Sequence, residues 1–451
     1  MSLYSAFYSG LSGLATNANA LNVIGNNLSN INTVGFKGSS TTFSDIFSTS
    51  LGGVSTQGNG DPIQFGLGTQ VNGVAQNFSQ SSFQSTGNAL DMAIQGNGFF
   101  TLQTPAGQQV YSRAGNFTIN SIGNLVASDG SKVMGWVRDA ATGNVNTSAA
   151  LAPIQISAGT TASAFATQNI ITGMNLNASA APLPALTSTF TTPIQVYDSQ
   201  GNSQTLTATY VKSAANTWTY SIFGPSGSTI SINGTSTTFP VVAPATVPVM
   251  GTLDFSPSGV LLSDTAIDPV TGLPAQILAT STAANPVLNI AWGNGAAPSK
   301  ININMVNTDG STNVSQFSAA SAATSSSQDG YGAGSLQSMT VDQNGIISGT
   351  FTNGQVIQLA EVALSTFNNV NGLVQAGNSH WAQSLASGSA TVGVANQGGR
   401  GGILGSNLEL SNVDVATEFT KLILSQRGYE ANSKIVTTTD QLLQVTLALK
   451  Q

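Results

Sequence analysis

Apolar residues recur at intervals of three and four positions near both ends of the chain. In the C-terminal stretch 412–451 these positions are Val415, Phe419, Leu422, Tyr429, Val436, Leu443 and Leu447. The spacing is typical of a helix that packs a narrow apolar seam against another helix. A second row widens the apolar face beyond what one partner helix covers; its members are Leu424, Ala431, Ile435, Leu442 and Leu449. At ~1.5 Å per residue, a helix from Val413 to Leu449 would be roughly 55 Å long.

The N-terminal stretch repeats this spacing. Its apolar positions are Leu3, Phe7, Leu14, Leu21, Ile24 and Leu28. Asn30 and Gly35 follow, and both residue types tolerate the left-handed conformation that ends helices. We therefore predict that helix 1–37 pairs with helix 408–451 in a coiled coil, which other copies of the same chain complete. The alternative is two ordinary amphipathic helices packed on one globular domain.

Between the predicted helices, the pattern changes to short alternating strands separated by turn residues. Residues 38–73 are rich in Ser, Gly and Thr and predict an extended connector, anchored by Phe43, Phe47 and Phe65. The Asn97-Gly98 pair lies between apolar runs and predicts a hairpin turn.

A shift in composition divides the β-rich part of the chain. The stretch 153–324 holds most of the prolines and very few charges, which predicts a separate inserted β-domain. Residues 74–152 and 325–395 then form a discontinuous β-rich domain around it. The predicted fold class is mainly β, with long terminal helices forming a coiled coil and two nested all-β domains between them.

Composition and charge narrow the functional classes. Charged residues make up 6% of the 451 residues, against about 25% in a typical protein. The net charge of -7 argues against nucleic-acid binding. Cysteine is absent, which excludes disulfides and thiolate metal sites. The first basic residue is Lys37, and no apolar run is long enough to insert in a membrane, so we expect export without a cleaved signal peptide.

Catalytic chemistry has little support in the sequence. His380 is the single histidine and follows Asn378-Ser379 beside Trp381, a setting typical of a structural residue. The chain carries no complete nucleophile elbow, dinucleotide fingerprint or P-loop. We therefore expect no enzyme activity, no catalytic or metal-binding residues and no cofactor.

Two terminal motifs carry a resemblance to a known family. The N-terminal motif includes Asn27, Asn30, Gly35, Phe36 and Lys37, and the C-terminal motif includes Asn412, Val413, Asp414, Gln426, Arg427 and Tyr429. Both ends resemble the rod and hook axial proteins of the bacterial flagellum. Further matches, at 93–102 together with 111–115, at 196–202 and at 368–381, are similar to the hook proteins among them.

The resemblance implies a function that agrees with the residue pattern. Hook proteins polymerise into a curved tubular universal joint that transmits torque from the rod to the filament, with the terminal helices innermost. The implied partners are other copies of the chain, the distal-rod protein, the hook cap protein, the hook–filament junction protein and the flagellar type III export apparatus. The implied location is the extracellular flagellum. The alternatives are a distal-rod protein, which forms a rigid drive shaft, and more remotely a secreted β-rich adhesin.

Overall fold

The structure is a computed structural model that describes residues 3–50, 64–139, 143–157, 159–182, 189–232, 235–238, 249–267, 274–278, 286–306 and 311–448. Its two long helices are α1 (Leu3–Ser29) and α2 (Val415–Ala448). The chain between them is folded mainly as β-strands. This confirms the predicted fold class of a mainly β chain with terminal helices and β-domains between them, whereas the coiled coil remains a prediction.

Both helices have local sequence reasons for where they begin and end. The Asp414 side chain accepts a hydrogen bond of 2.7 Å from the amide of Thr417, which caps the start of α2. After α1, the amide of Thr33 donates to the carbonyl of Asn30, and Gly35 has a φ of 66° that favours glycine. None of the described helices is long and apolar enough to cross a membrane.

The chain divides into two compact units. The first contains Met1–Ala158, Ser338–Thr350 and Val356–Gln451, and the second contains Gly159–Gln337 and Phe351–Gln355. The chain thus leaves the first unit twice, for the long stretch 159–337 and for the short stretch 351–355, and returns each time. Both helices and all the motif residues belong to the first unit.

The described residues in the first stretch of the first unit form twelve strands. They are β1 (Ser39–Asp45), β2 (Ser48–Ser50), β3 (Gln64–Gly66), β4 (Thr69–Gln76), β5 (Phe83–Ser85), β6 (Met92–Gln95), β7 (Phe99–Gln103), β8 (Gln109–Ser112), β9 (Thr118–Ile119), β10 (Leu125–Val126), β11 (Lys132–Val137) and β12 (Ala152–Pro153). β7 lies between β8 and β11 in an antiparallel sheet.

The second unit is a β-sandwich. Its strands are β13 (Thr161–Ala162), β14 (Asn169–Asn175), β15 (Thr189–Tyr197), β16 (Ser203–Ala214), β17 (Thr217–Phe223), β18 (Thr229–Ile232), β19 (Thr235–Thr238), β20 (Gly251–Phe255), β21 (Leu261–Ile267), β22 (Pro274–Leu278), β23 (Val287–Ala291), β24 (Ser299–Asn304), β25 (Val314–Ser315), β26 (Ala322–Gln328) and the first part of β27 (Gly334–Val341). Strands of one sheet run in the order β15-β16-β17-β20-β21-β22, and the other contains β19-β18-β23-β24-β14. Trp218 and Tyr210 from the first sheet and Leu288 and Ile301 from the second share one buried core.

The returning chain completes the first unit. It supplies β28 (Ile346–Phe351), β29 (Val356–Val362), β30 (Leu364–Thr366), a short 3-10 helix (Val370–Gly372), β31 (Val374–Gly377), β32 (His380–Ala382), β33 (Thr391–Gly393), β34 (Gly402–Gly405) and β35 (Asn407–Glu409). β34 pairs with β6 and β35 pairs with β5, both antiparallel. These pairs join the segment just before α2 to strands from the first stretch of the unit.

The connector after α1 is a hairpin that lies on that helix. β1 pairs with β4 antiparallel, and the amide of Thr69 donates to the Ser12 hydroxyl of α1 at 3.1 Å. Phe43 and Phe47 are 49% and 87% exposed, so neither anchors the hairpin within a single chain. The side chain of Phe65 lies outside the described part of the structure.

The hairpin predicted at Asn97-Gly98 is wrong. β6 and β7 flank this turn but do not pair with each other, because β6 pairs with β34 and β7 pairs with β8. The β7–β8 hairpin instead closes at residues 104–108, where the amide of Thr104 donates to the carbonyl of Gln108. The turn residues do separate two strands, but the partner of β6 comes from a distant part of the chain.

Candidate self-assembly surface

The helices α1 and α2 pack antiparallel along a row of small residues. A Cβ atom added at Gly10 would lie 3.1 Å from Val436, and one at Gly13 would lie 2.6 Å from the Asn432 amide. Further along, a Cβ added at Gly428 would lie 3.0 Å from the Asn17 side chain. Glycine at these positions therefore lets the two backbones approach closely, because a larger residue would need the space of the opposite helix.

The amide side chains in this row are bonded within their own helices. Asn17 donates to the carbonyl of Gly13 at 2.7 Å, and Asn432 donates to the carbonyl of Gly428 at 2.8 Å. Each amide is thus held in one orientation opposite a glycine of the other helix. The contact row thus combines glycines and amides with the apolar side chain of Val436, which lies opposite Gly10.

The predicted seam residues lie mostly beside this row. Phe7, Leu14, Leu21, Leu28, Leu422, Val436 and Leu443 are half-buried, and Ile24 is buried. Val415, Phe419 and Tyr429 are 43%, 48% and 42% exposed. The side chains of Leu3 and Leu447 lie outside the described part of the structure.

Helix geometry places the large seam residues on one side of the pair. Both helices are right-handed, and they run antiparallel. At about 100° per residue, the predicted seam residues of α1 and those of α2 therefore lie on the same side of the helix pair. We call this side the leucine face; it consists of Phe7, Leu14, Leu21, Leu28, Val415, Phe419 and Tyr429. The opposite side carries the β1–β4 hairpin, and we call it the hairpin face; it consists of Val23, Phe43, Leu424, Ile435 and Leu442.

A buried ionic cluster joins the helix pair to the β-domain of the first unit. Glu409, at the end of β35, accepts a 2.7 Å bond from Lys37 Nζ and lies 3.5 Å from Arg113 Nη1. The side chains of Lys37 and Glu409 are fully buried, and that of Arg113 nearly so. Lys37 follows α1, Arg113 follows β8 and Glu409 precedes α2, so one carboxylate ties three distant segments together.

The remaining bonds of the cluster are made to the backbone. Lys37 Nζ also donates to the carbonyl of Ser79 at 2.8 Å, and Arg113 Nη2 donates to that of Gly96 at 2.9 Å. The Arg113 guanidinium lies 5.2 Å from the centre of the Phe99 ring. Burial lowers the pKa of Lys37 and of Arg113, and the Glu409 carboxylate opposes both shifts. The cluster is therefore sensitive to the loss of its single anion.

Two asparagines of the terminal motifs bind the backbone next to the cluster. Asn27 accepts from the amide of Ser39 and donates to its carbonyl, at 2.9 and 2.7 Å, and it also donates to Glu418 of α2. Asn412 accepts from the amide of Gly38 at 2.8 Å and donates to the carbonyl of Asn77 at 2.7 Å. These bonds hold the segment that follows α1 close to the segment that precedes α2.

The other motif residues divide into two groups. Gly35 and Phe36 are buried, Asn30 and Val413 are half-buried, and Asp414 caps α2. Gln426 and Arg427 are exposed, and Arg427 lies 3.4 Å from the exposed Glu430. The first group builds the junction, whereas the second faces solvent in a single chain.

Glu409 and Gly13 are the contact residues that sequence reasoning missed. Glu409 lies just outside the recognised motif. Because only 6% of the residues in this chain are charged, an acidic residue at this position could have indicated a specific contact. Gly13 was missed because helical periodicity is recognised from large apolar residues, and glycine does not contribute to it.

His380 occupies a structural position. It is buried in β32, with Nδ1 3.5 Å from Asp129 Oδ2. Burial lowers the pKa of His380, and the Asp129 carboxylate partly offsets this effect. The Asp129 carboxylate itself accepts bonds from the amide and hydroxyl of Ser131.

Four family models match successive parts of the chain. Residues 7–37 match the flagella basal body rod protein, and residues 93–171 match the flagellar hook protein FlgE/F/G D1 domain. Residues 169–331 match the flagellar basal body protein FlaE D2 domain, and 405–449 match the flagellar basal body rod FlgEFG protein C-terminal. The matches thus include both terminal motifs and most of the second unit.

Relatives that match the chain over its full length are named flagellar hook proteins. The flagellar hook protein FlgE of Borreliella burgdorferi is 33% identical over 463 residues, covering 99% of each chain. That of Salmonella typhimurium is 30% identical over 456 residues, covering 99% of this chain and 100% of the relative. A crystal structure of Helicobacter pylori flagellar hook protein FlgE2 covers 72% of this chain at 17% identity, with a TM-score of 0.37. The distal-rod alternative is not favoured, and the chain belongs to the flagellar hook protein family.

Proposed function

We propose that this chain builds the flagellar hook by polymerising through its terminal helix pair into a curved tube that transmits torque from rod to filament. The observation that carries the proposal is the leucine face. Phe419 and Tyr429 remain 48% and 42% exposed on a helix pair that is otherwise bonded firmly to the β-domain. Exposed apolar surface that is held rigidly is a suitable surface for association with other copies.

The ionic cluster supports a mechanical role for the junction. Torque can pass from the helix pair to the β-domain only if the segments between them do not yield. Glu409, Asn27 and Asn412 bridge these segments through short bonds, and Glu409 and Asn27 are buried from solvent. The helix pair and its β-domain would then turn together, while bending would occur at contacts between copies.

The proposed partners follow from the family. Polymerisation with other copies and association with the basal body are general properties of a hook protein. We propose that the distal-rod protein and the hook–filament junction protein bind the two ends of the polymer. The hook cap protein and the flagellar type III export apparatus are proposed to act during its assembly. The family is structural, and we propose no catalytic role.

Substitution of the leucines nearest the contact row tests the proposed function. Leu422→Asp or Leu443→Asp is expected to abolish polymerisation, because a carboxylate would have to be buried without a partner. The measurement is sedimentation and electron microscopy of the purified chain under assembly conditions. Gln441→Asp, at an exposed position of the same helix on the side turned away from α1, is the matched control and should polymerise.

Folding of the β-domains in these variants must be checked separately. The near-ultraviolet circular dichroism of the tryptophans should be unchanged, because the buried clusters that hold Trp218 and Trp381 include no residue of α2. Normal tubes from Leu422→Asp and Leu443→Asp would show that the helix pair does not drive polymerisation.

A further inference from the structure

The helix pair presents apolar side chains on two opposite sides, and in a single chain the α2 residues of both sides are exposed. We propose that copies pack side by side in the polymer, with the leucine face of one copy against the hairpin face of the next. This inference rests on the proposed function, because it names the surfaces through which the polymer grows. The partner that covers each face is a second copy of this chain.

The first supporting observation is the position of the two faces on α2. At about 100° per residue, Phe419 and Leu424 lie about 140° apart around the helix. Phe419 is 48% exposed and Leu424 is 67% exposed, whereas Leu422 and Ser425, which turn toward α1, are half-buried. The α1 contact thus lies between two uncovered apolar sides, and neither side can cover the other within one chain.

The second observation is a cleft on the hairpin face. It has a volume of about 230 Å³ and is lined by Val23 and Ala20 of α1, Phe43 of β1, and Leu424 and Lys421 of α2. Glu418 and hydroxyl residues of β1 also line the cleft, and its apolar walls can accept a protruding side chain. The leucine face offers such side chains at Phe419 and Val415, which lie one helical turn apart.

The distribution of charge supports the same arrangement. α1 contains no charged residue. On α2, Lys421 at the cleft is already paired with Glu418 at 2.7 Å, and Asp440 lies near the leucine face. The other charged residues that the structure describes on α2 lie on the side turned away from α1; they are Arg427, Glu430 and Lys434. A contact between the two apolar faces would therefore bury few unpaired charges and leave this charged side in water.

When two different faces on opposite sides of a molecule bind each other, neighbouring copies associate head to tail. Such a heterologous contact leaves one free face at each end, so it continues into a ring or a helix. A contact between two leucine faces would instead close into a pair and stop. The arrangement of the faces therefore fits a polymer and not a dimer.

The absence of cysteine makes the proposal directly testable. Phe419→Cys would be combined in one chain with Leu424→Cys, Ile435→Cys or Leu442→Cys, and the assembled polymers treated with a short bis-maleimide. We expect at least one combination to yield a ladder of covalent multimers, and the combination that reacts best gives the register between copies. Each single variant should remain monomeric on a denaturing gel.

Lys434→Cys combined with Phe419→Cys is the matched control, because Lys434 adjoins Ile435 in sequence but lies on the charged side of α2. This control should give no ladder. Covalent dimers from Phe419→Cys alone, or normal polymers in which none of the three combinations gives a ladder, would overturn the proposal. If the Phe419→Cys chains do not polymerise, Val415→Cys replaces Phe419→Cys in the same three combinations, and the same results are expected. Failure of the unsubstituted chain to polymerise would refute the proposed function itself, before any thiol is introduced.

Discussion

Replacing Glu409 with alanine is expected to destabilise the junction by about 3–5 kcal/mol, the range measured when one member of a buried ion pair is removed. The loss is large because Lys37 and Arg113 would stay buried without an anion, 2.7 and 3.5 Å from where the carboxylate had been. Their remaining bonds, to the carbonyls of Ser79 and Gly96, are to neutral groups and do not balance two positive charges.

Hydrogen exchange of the amides in β5 and β35 measures this effect locally, since these strands pair beside the cluster. Glu430→Ala is the matched control. It also removes a glutamate that contacts an arginine, but both side chains are exposed, and such pairs contribute about 0–1 kcal/mol. A change below about 1 kcal/mol for Glu409→Ala, within the range of an exposed pair, would mean that the cluster does not hold the junction.

Replacing Gly13 with leucine is expected to separate α1 from α2 and prevent polymerisation. A Cβ at this position would already lie 2.6 Å from the Asn432 amide, and the rest of the side chain would require the helices to move apart. Overpacking at such a contact typically costs about 1–3 kcal/mol. The measurements are the far-ultraviolet helix signal of the chain and the yield of polymer.

Ala15→Leu is the matched control for Gly13→Leu. It places a leucine on the same helix, at an exposed position on the side turned away from α2. The helix signal of Ala15→Leu should be equal to that of the unsubstituted chain, because alanine and leucine are both among the residues that favour a helix most. Equal helix signals and equal polymer yields for the two variants would show that the small-residue row is not needed.

The terminal helices could be predicted from the sequence because a sustained 3-4 spacing of apolar residues matches the period of an α-helix and not that of a strand. The same reasoning placed large residues such as Phe419 and Leu14 at the contact between the helices. The structure places Gly10, Gly13 and Gly428 there and leaves Phe419 and Leu14 at the side, although the seam residue Val436 does lie opposite Gly10. Periodicity shows which residues share a face, but it does not show whether that face meets a helix of the same chain or of another copy.

Residues that act over long sequence separations were the hardest to predict. Lys37 was recognised within a motif, but its bond to Glu409 joins positions 372 residues apart. The partner of β6 was missed for the same reason, because it follows the whole inserted unit. In contrast, the capping role of Asp414 depends on residues three positions away and could be read locally.

Electron microscopy of the purified, assembled chain tests the central claim most directly. The account predicts a curved hollow tube with the α1–α2 pairs side by side at its inner wall, each leucine face against the hairpin face of its neighbour. Discrete particles would contradict polymerisation through the helix pair. A straight, rigid rod would contradict the universal-joint role, and a tube in which the helix pairs do not touch would contradict the assigned surface.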